Sequence, residues 1–489
     1  MKVLNKGNVF INKIAIVCSL LVATLLQLEY SPIGIMKKDV TGVDASVFKY
    51  VAFAMSKGQL PYKDVFDHKG PLIYFLDYIG MKISFYRGSW IIEFVFVFLT
   101  LVIFYKIARL KCSEISSVVV VFVATTPLYE YFYGGGLVEE YAMFFIGFAT
   151  YIFLDYFINQ KITGIRLIAC GMCFGAVLML RANMATLWVA FCIGVLLKCL
   201  IEKNIKDIIH FISLFLIGIM IIVLPFVIWM GMNGILSDFV EVYINFNMFY
   251  SSVEAGHTSI IGRIDTFDRF AKETFIIISV ALICYKIYKE RKLLDIVYLA
   301  YIIITLVFTS MSGWKSAHYA MIFVPIYVYP LSLIWEKKDS VAAPIFLVGI
   351  FYIMIFMVIP VWMDASLNFA KTVIEPKEMA PENKEIVEVI SNFSDEEDYI
   401  SVYGNSDWIY VVTHRLSASR FSYQTPVCDM VPEYMDQYWN DLNENQPKLF
   451  VTKNIEDKKV KEFLDNNQYD LLWKSGNDNP TYIFENKSF

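Results

Sequence analysis

Apolar runs long enough to cross a bilayer alternate with short polar breaks over most of the chain, and then stop. A membrane span needs about 20 mostly apolar residues. The first such run is Ile14 to Leu28, preceded by Lys2, Lys6 and Lys13. Further runs lie near 89–106, 116–133, 140–157, 165–181, 184–201, 209–231, 273–288, 294–311, 318–335 and 342–362. The pattern therefore predicts about eleven helical spans. The first run could serve as a secretory signal, but no small-x-small cleavage site precedes Tyr30 and many spans follow, so it reads as a retained helix. After about Asp364 the pattern changes. Glu385 to Phe393 and Lys458 to Asn466 have helical periodicity, and Trp408 to Thr413 is helical or extended. Tyr399 to Tyr403 and Lys448 to Thr452 read as strands, and Leu471 to Lys474 with Tyr482 to Glu485 flank the hairpin signal Gly476-Asn477-Asp478. The expected fold is mainly α: a polytopic transmembrane helical bundle over 1–363, followed by a small extracytoplasmic α/β domain over 364–489.

Composition supports the bilayer as solvent. Hydrophobic residues make up 57% of the 489 positions and charged residues 18%, with a mean hydropathy of +0.53; a water-facing exterior leaves no room for that much apolar surface. With the N-terminus inside, the inner loops carry the basic residues: Arg109 and Lys111; Lys161 and Arg166; Lys198, Lys203 and Lys206; Lys286, Lys289, Arg291 and Lys292; Lys337 and Lys338. The loop at 129–139 has none. This parity leaves no room for Pro71 to Tyr86 to span, so that stretch is placed as a helix along the membrane surface. The chain is thus expected in a bacterial inner or plasma membrane, with its N-terminus cytoplasmic and three regions outside: 31–88, 232–272 and the tail. The formal net charge of -5 brings no basic excess for a nucleic-acid partner. Most of the eight cysteines lie in apolar runs, and Cys170-Gly-Met-Cys173 has no partner pair, so they read as packing residues.

The first outer loop concentrates candidate chemistry. Asp44 stands where Val47, Phe48, Val51, Ala52 and Met55 begin a helical pattern that Gly58 can close. Its carboxylate suits an N-cap and a general base alike. Downstream, Asp64, Asp67, His68 and Lys69 crowd in front of Gly70-Pro71, a helix start. A lysine beside a helix start forms an anion site, and a loop lysine also snorkels to lipid headgroups. Arg181 in Leu180-Arg-Ala-Asn183 is either a helix-end residue or a bidentate phosphate partner. Lys315, in Gly313-Trp-Lys-Ser-Ala-His318-Tyr319, runs against the positive-inside bias, and His318 suits an interfacial or a substrate-binding place. Glu139 and Glu140 either bind an acceptor or mark their loop as outer. Thr413-His-Arg415 through Arg420-Phe-Ser-Tyr423 pairs basic with aromatic residues, as carbohydrate binding or a solvated loop would.

The acidic residue opening a juxtamembrane helix, the Gly58-Gln-Leu-Pro61-Tyr62 turn and the stretch Asp67-His-Lys69-Gly-Pro71-Leu72 resemble the integral-membrane glycosyltransferases of the GT-C class. The members most similar are bacterial relatives of protein mannosyltransferases (family 39) and of the aminoarabinose transferase acting on lipid A. One departure is Ala45, where many relatives carry a second acidic residue. The resemblance implies a sugar donor on polyprenyl phosphate and an envelope glycan or lipid acceptor outside the cytoplasm. It implies Asp44 as the base, and Lys69, Arg181 and Lys315 as partners of the donor phosphate. Asp67, His68, Glu139, Glu140, His318 and Tyr319 would then be substrate-binding. It implies no cofactor, and a divalent metal is not favoured. Two other readings share the outer cluster: a transporter or flippase for lipid-linked glycans, and a pyrophosphate-dependent polymerase or ligase. The first would favour charged residues at mid-membrane, which the predicted spans lack.

Overall fold

A computed structural model describes residues 2–28, 42–132, 135–257, 259–311, 316–335, 352–375 and 378–488. The chain divides into two compact units: Met1–Ser31, Ile91–Ile228 and Ser251–Glu375 form one, and Pro32–Trp90, Trp229–Tyr250 and Pro376–Phe489 form the other.

The first unit is a helical bundle. Five described helices are long and apolar enough to cross a membrane: Gly88–Arg109, Val138–Asn159, Lys206–Met232, Leu293–Ser310 and Met354–Ile374. Asn12–Leu28, at the end of α1 (Lys2–Leu28), is a shorter apolar helix, as are Gly164–Leu178, Thr186–Ile201 and Ala317–Leu333. Several expected spans are thus shorter than the apolar run that announced them. The run at 116–133 forms a helix only over Glu114–Thr125, and Pro127 precedes a separate turn at Leu128–Tyr131. Proline removes a backbone donor and crowds the preceding turn, so the break falls there. Residues 318–335 begin as a tighter helix at Ala317–Phe323 before the α-helix Val324–Leu333. Of the expected run at 342–362, residues 342–351 lie outside the described residues, and the rest leads into Met354–Ile374.

Close approach between helices rests on small residues, as it must where lipid supplies no hydrophobic drive for helix association. A Cβ added at Gly171 would meet the Phe215 carbonyl oxygen at 2.0 Å, and one at Gly218 would meet that of Ile168 at 2.0 Å. Among the described residues all eight cysteines are free thiols, with Cys170 and Cys173 buried.

The second unit joins helices α2 (Val43–Ser56) and α3 (Pro71–Ile83) to an α/β sheet. At 13 residues α3 is about 20 Å long, well short of a bilayer's hydrocarbon core. The five strands are β1 (Tyr399–Tyr403), β2 (Leu416–Ser417), β3 (Leu449–Thr452), β4 (Tyr469–Lys474) and β5 (Tyr482–Asn486), in the order β2-β1-β3-β5-β4. The first three are parallel, and β5 pairs antiparallel with β3 and β4. All four residues of β3 are buried, as a strand covered on both faces requires. Helix Lys458–Asn466 is capped by Asp457, whose Oδ1 accepts from Lys459 N at 2.8 Å. The sequence pattern missed the helix Pro432–Asn445, which packs Tyr438, Trp439 and Leu442 inward.

Candidate functional site

The site in the second unit is built from the turn between α2 and α3. Gly58 takes a φ of 93°, which closes α2 at no steric cost. Tyr62 follows at a φ of 70°, a conformation unusual for a bulky side chain. Two bonds hold it there: Tyr62 N donates to Val65 O at 2.8 Å, and Asp64 Oδ2 accepts from Leu60 N at 2.8 Å. The buried Tyr62 ring then reaches forward, and its hydroxyl donates to Lys69 O at 3.0 Å.

Asp67 lies at the centre of this turn and is 3% exposed. Its Oδ2 accepts from the Tyr74 hydroxyl at 2.7 Å and its Oδ1 from the Tyr423 hydroxyl at 2.9 Å. The Tyr74 oxygen in turn accepts from Lys69 N at 3.2 Å. Two phenols therefore hold a buried carboxylate, and one of them also fixes the backbone that presents Lys69. The Lys69 ammonium is 2.5 Å from His68 Nε2, and a charged lysine is the donor of that pair. The His68 ring packs 5.5 Å from Phe246 and 5.3 Å from Tyr250, while His68 O accepts from Asn247 Nδ2 at 2.7 Å.

Asp44 sits in the first turn of α2, but the N-cap position is held by Gly42. The capping role open to Asp44 on sequence grounds therefore belongs elsewhere, and its charge lies where a helix dipole favours an anion. The charge of Asp44 is felt at Tyr423, a phenol that also holds Asp67. Burial pushes the Tyr423 phenol far up, the Asp67 charge and hydrogen bond push it further, and the charges of Asp407 and Asp44 add to the rise. Tyr423 thus remains a proton donor across the neutral range.

The segment 413–423 is not a solvated loop. Ser422 and Phe421 are fully buried. Phe66 N donates to Arg420 O at 2.8 Å, and Arg420 Nη2 donates to Tyr62 O at 2.8 Å. Ser417 N donates to the hydroxyl of Tyr50 on α2 at 2.8 Å. Nearby, burial pushes the Asp407 carboxyl up to about 7; the Ser422 hydroxyl opposes the rise and the Asp67 charge adds to it. A buried pair also joins α2 to α3: Lys49 is 1% exposed and its charge reaches Asp77, whose carboxyl burial pushes up to about 6.

Sequence reasoning singled out Asp44, Asp67, His68 and Lys69, and it marked the 413–423 segment without assigning it a role. It had Tyr62 only as part of the turn and Tyr423 only as the end of that segment, and it missed Tyr74. A tyrosine in an apolar stretch carries no sequence signal until a buried carboxylate is found beside it.

The first unit holds the remaining candidates. Arg181 Nη1 donates to Glu139 Oε1 at 2.7 Å, and its guanidinium lies 4.6 Å from the Tyr319 ring centre. Arg181, Glu139 and Tyr319 line one recess with Asn183. His318 is buried, with its ring 4.5 Å from that of Tyr319. Glu140 Oε2 accepts from Gly136 N at 2.9 Å, and the buried Glu93 accepts from the same amide at 3.3 Å. Lys315 lies outside the described residues. Among the described residues no group of three His, Cys, Asp or Glu side chains is placed to hold a metal ion.

No protein-family model matches the chain, and no curated protein matches it in sequence. Solved structures do. The crystal structure of ArnT from Cupriavidus metallidurans bound to undecaprenyl phosphate aligns with a TM-score of 0.59 at 12% identity, over 98% of this chain and 98% of that one. The apo state of the same protein aligns with a TM-score of 0.59 at 11% identity, over 99% and 98%. The Archaeoglobus fulgidus oligosaccharyltransferase tethered to an acceptor peptide aligns at 0.50 and 12% identity, over 96% of this chain and 74% of that one. Over nearly its whole length the chain therefore shares the fold of the ArnT structures, a helical membrane bundle with a small C-terminal sheet.

Proposed function

We propose that this chain transfers a sugar from a polyprenyl-phosphate-linked donor to an envelope glycan or lipid on the outer face of the membrane, with inversion. The Asp44 carboxylate takes the proton of the acceptor hydroxyl as its oxygen attacks the anomeric carbon. The bond from that carbon to the phosphate oxygen breaks, and polyprenyl phosphate leaves. Lys69 balances the negative charge that gathers on the phosphate, which is the interaction that grows most toward the transition state. Asp67, held by Tyr74 and Tyr423, positions the turn that carries Lys69; His68 takes a hydrogen bond from the Lys69 ammonium and restricts its direction. A phosphate is already a good leaving group, so no acid is needed. Arg181 and Tyr319 form a second polar recess, where a guanidinium offers forked donors to phosphate or sugar oxygens.

One observation carries this reading. In a chain with the fold of a protein captured with undecaprenyl phosphate, two buried phenols hold Asp67 in the turn that carries Lys69, and the charge of Asp44 reaches one of those phenols. The transport reading has no comparable support in the residues of this cluster. The test is a reconstitution of the full chain in proteoliposomes with polyprenyl-phosphate sugars and, separately, with polyprenyl-pyrophosphate glycans. Acceptor-dependent release of polyprenyl monophosphate supports the proposal. Release of pyrophosphate carrier alone, or translocation of an intact lipid-linked sugar without cleavage, refutes it.

A further inference from the structure

The sheet of the second unit has a crevice at a place that its topology singles out. From β1 the chain runs through the short helix Trp408–Thr413 to β2 on one side, and it returns through Pro432–Asn445 to β3 on the other. β1 and β3 are parallel neighbours, with Tyr403 paired to Thr452 at their carboxyl ends. In open α/β sheets the crevice outside such a switch point is where ligands bind. A cleft of about 80 Å³ opens there, walled also by the first turn of the helix Pro381–Phe393 and by Thr481, just before β5. Its apolar lining is closed to water: Ile386, Val402, Ile409 and Val451 are each at most 3% exposed.

Polar groups converge on that lining. Glu382 is fixed in direction: one carboxylate oxygen accepts from Thr481 Oγ1 at 3.2 Å and the other from Asn477 Nδ2. Among the described residues the Asn383 amide, the Ser406 hydroxyl, the Trp408 indole N–H and the Lys453 ammonium bond to no protein group. Polar side chains that reach water are ordinarily solvated one by one. Here they come from three separate segments around a single recess, and the half-buried indole among them packs on no other described aromatic ring. The chemistry selects the ligand. Glycine turns that hold phosphate open onto a helix of several turns. The turn after β1 ends instead at the buried carboxyl of Asp407, on a six-residue helix, and Glu382 faces the same cleft, so an anion is disfavoured. Glu382 and Lys453 balance in charge. A pyranose ring matches the rest: its C–H face suits an indole, and its hydroxyl groups both give and accept hydrogen bonds. The volume suits one edge of a single ring, with the rest of a chain in solvent.

We propose that this cleft binds one neutral pyranose residue of a glycan, with its C–H face on Trp408 and its hydroxyl groups at Glu382, Asn383 and Ser406. The choice of a glycan rests on the transfer reading, in which the bound residue belongs to the acceptor; binding itself needs no donor. The test uses the full chain in micelles of a detergent without a sugar head group. Neutral tetrasaccharides of glucose, galactose, mannose and N-acetylglucosamine serve as probes. Saturation-transfer NMR reads which of them binds and which ring protons touch the protein. At least one should bind wild type, with transfer strongest along one C–H face. Trp408→Ala should weaken it about tenfold or more, and Trp408→Tyr, which keeps an aromatic platform, should retain most of it. Asn383→Ala, at a half-buried position in a first helical turn, spares the core and should weaken binding about threefold or more. Failure of every probe to bind wild type below about 10 mM, or an affinity unchanged in either Trp408→Ala or Asn383→Ala, overturns the proposal. Tetrasaccharide binding with these dependences, in a protein that transfers no sugar, would uphold the cleft and refute only the transfer reading.

Discussion

Removing one hydroxyl group, in Tyr423→Phe, isolates what holds the Asp67 turn together. Tyr423 donates to Asp67 Oδ1 at 2.9 Å, and the carboxylate is 3% exposed, so water does not replace the lost donor. A hydrogen bond to a buried charge is worth about 1.5–3 kcal/mol, and the ring itself stays packed, so nearly all of that loss should appear as destabilisation. Tyr74→Phe removes the bond to Oδ2 at 2.7 Å and also the acceptor of Lys69 N, so it should cost at least as much. Because both phenols serve one carboxylate, the double variant should depart from additivity by about 0.5–3 kcal/mol. Reversible unfolding in mixed micelles measures the four corners of this cycle. Sugar transfer, assayed on the folded fraction, should fall more in Tyr74→Phe, because that variant also releases the backbone presenting Lys69. Destabilisation under about 0.5 kcal/mol in both single variants, with strict additivity in the double, would show that Asp67 is not held as described.

The other predictions concern separate parts of the molecule. Asp407→Asn should alter the pH dependence of stability. A carboxyl raised from 3.8 to about 7 in the folded state destabilises the fold progressively as pH rises from about 4 to about 7. The full effect is about 4 kcal/mol by linkage, and the amide variant should lose that slope in unfolding measured across the range. Arg181→Lys keeps the charge but loses the fork and the stacking on Tyr319, so transfer should drop about tenfold or more while the fold is kept. Gly171→Ala places a methyl 2.0 Å from the Phe215 carbonyl oxygen and should destabilise the bundle by about 1–3 kcal/mol, read as a lowered Tm.

The membrane-bundle architecture was legible because apolar run length and loop charge respond directly to the bilayer. Individual helix bounds were less so: the run at 116–133 is uniformly apolar enough, yet Pro127 divides it. In the tail, Tyr399–Tyr403 and Lys458–Asn466 emerged with the bounds predicted: the helix has a one-sided apolar pattern, and the strand ends at the turn signal Gly404-Asn405. The helix Pro432–Asn445 escaped because its surface is mostly polar and only a few large side chains face inward. The site divides the same way. Asp44 and the Asp67–Lys69 stretch stand out as polar groups at helix starts. The phenols that hold Asp67 come from α3 and from a segment 356 positions away, and only folding brings them together.

The proposed mechanism assigns proton transfer to one carboxylate, and Asp44→Asn tests it with a nearly isosteric change. The full chain and its variant, matched for expression and thermal stability in the same membranes, would be given a polyprenyl-phosphate sugar and an acceptor, and release of polyprenyl phosphate followed. With Asp44 as the base, the variant should be slower by a factor of about 10²–10⁴, with donor binding little changed. A stable Asp44→Asn protein that transfers at the wild-type rate would contradict the mechanism.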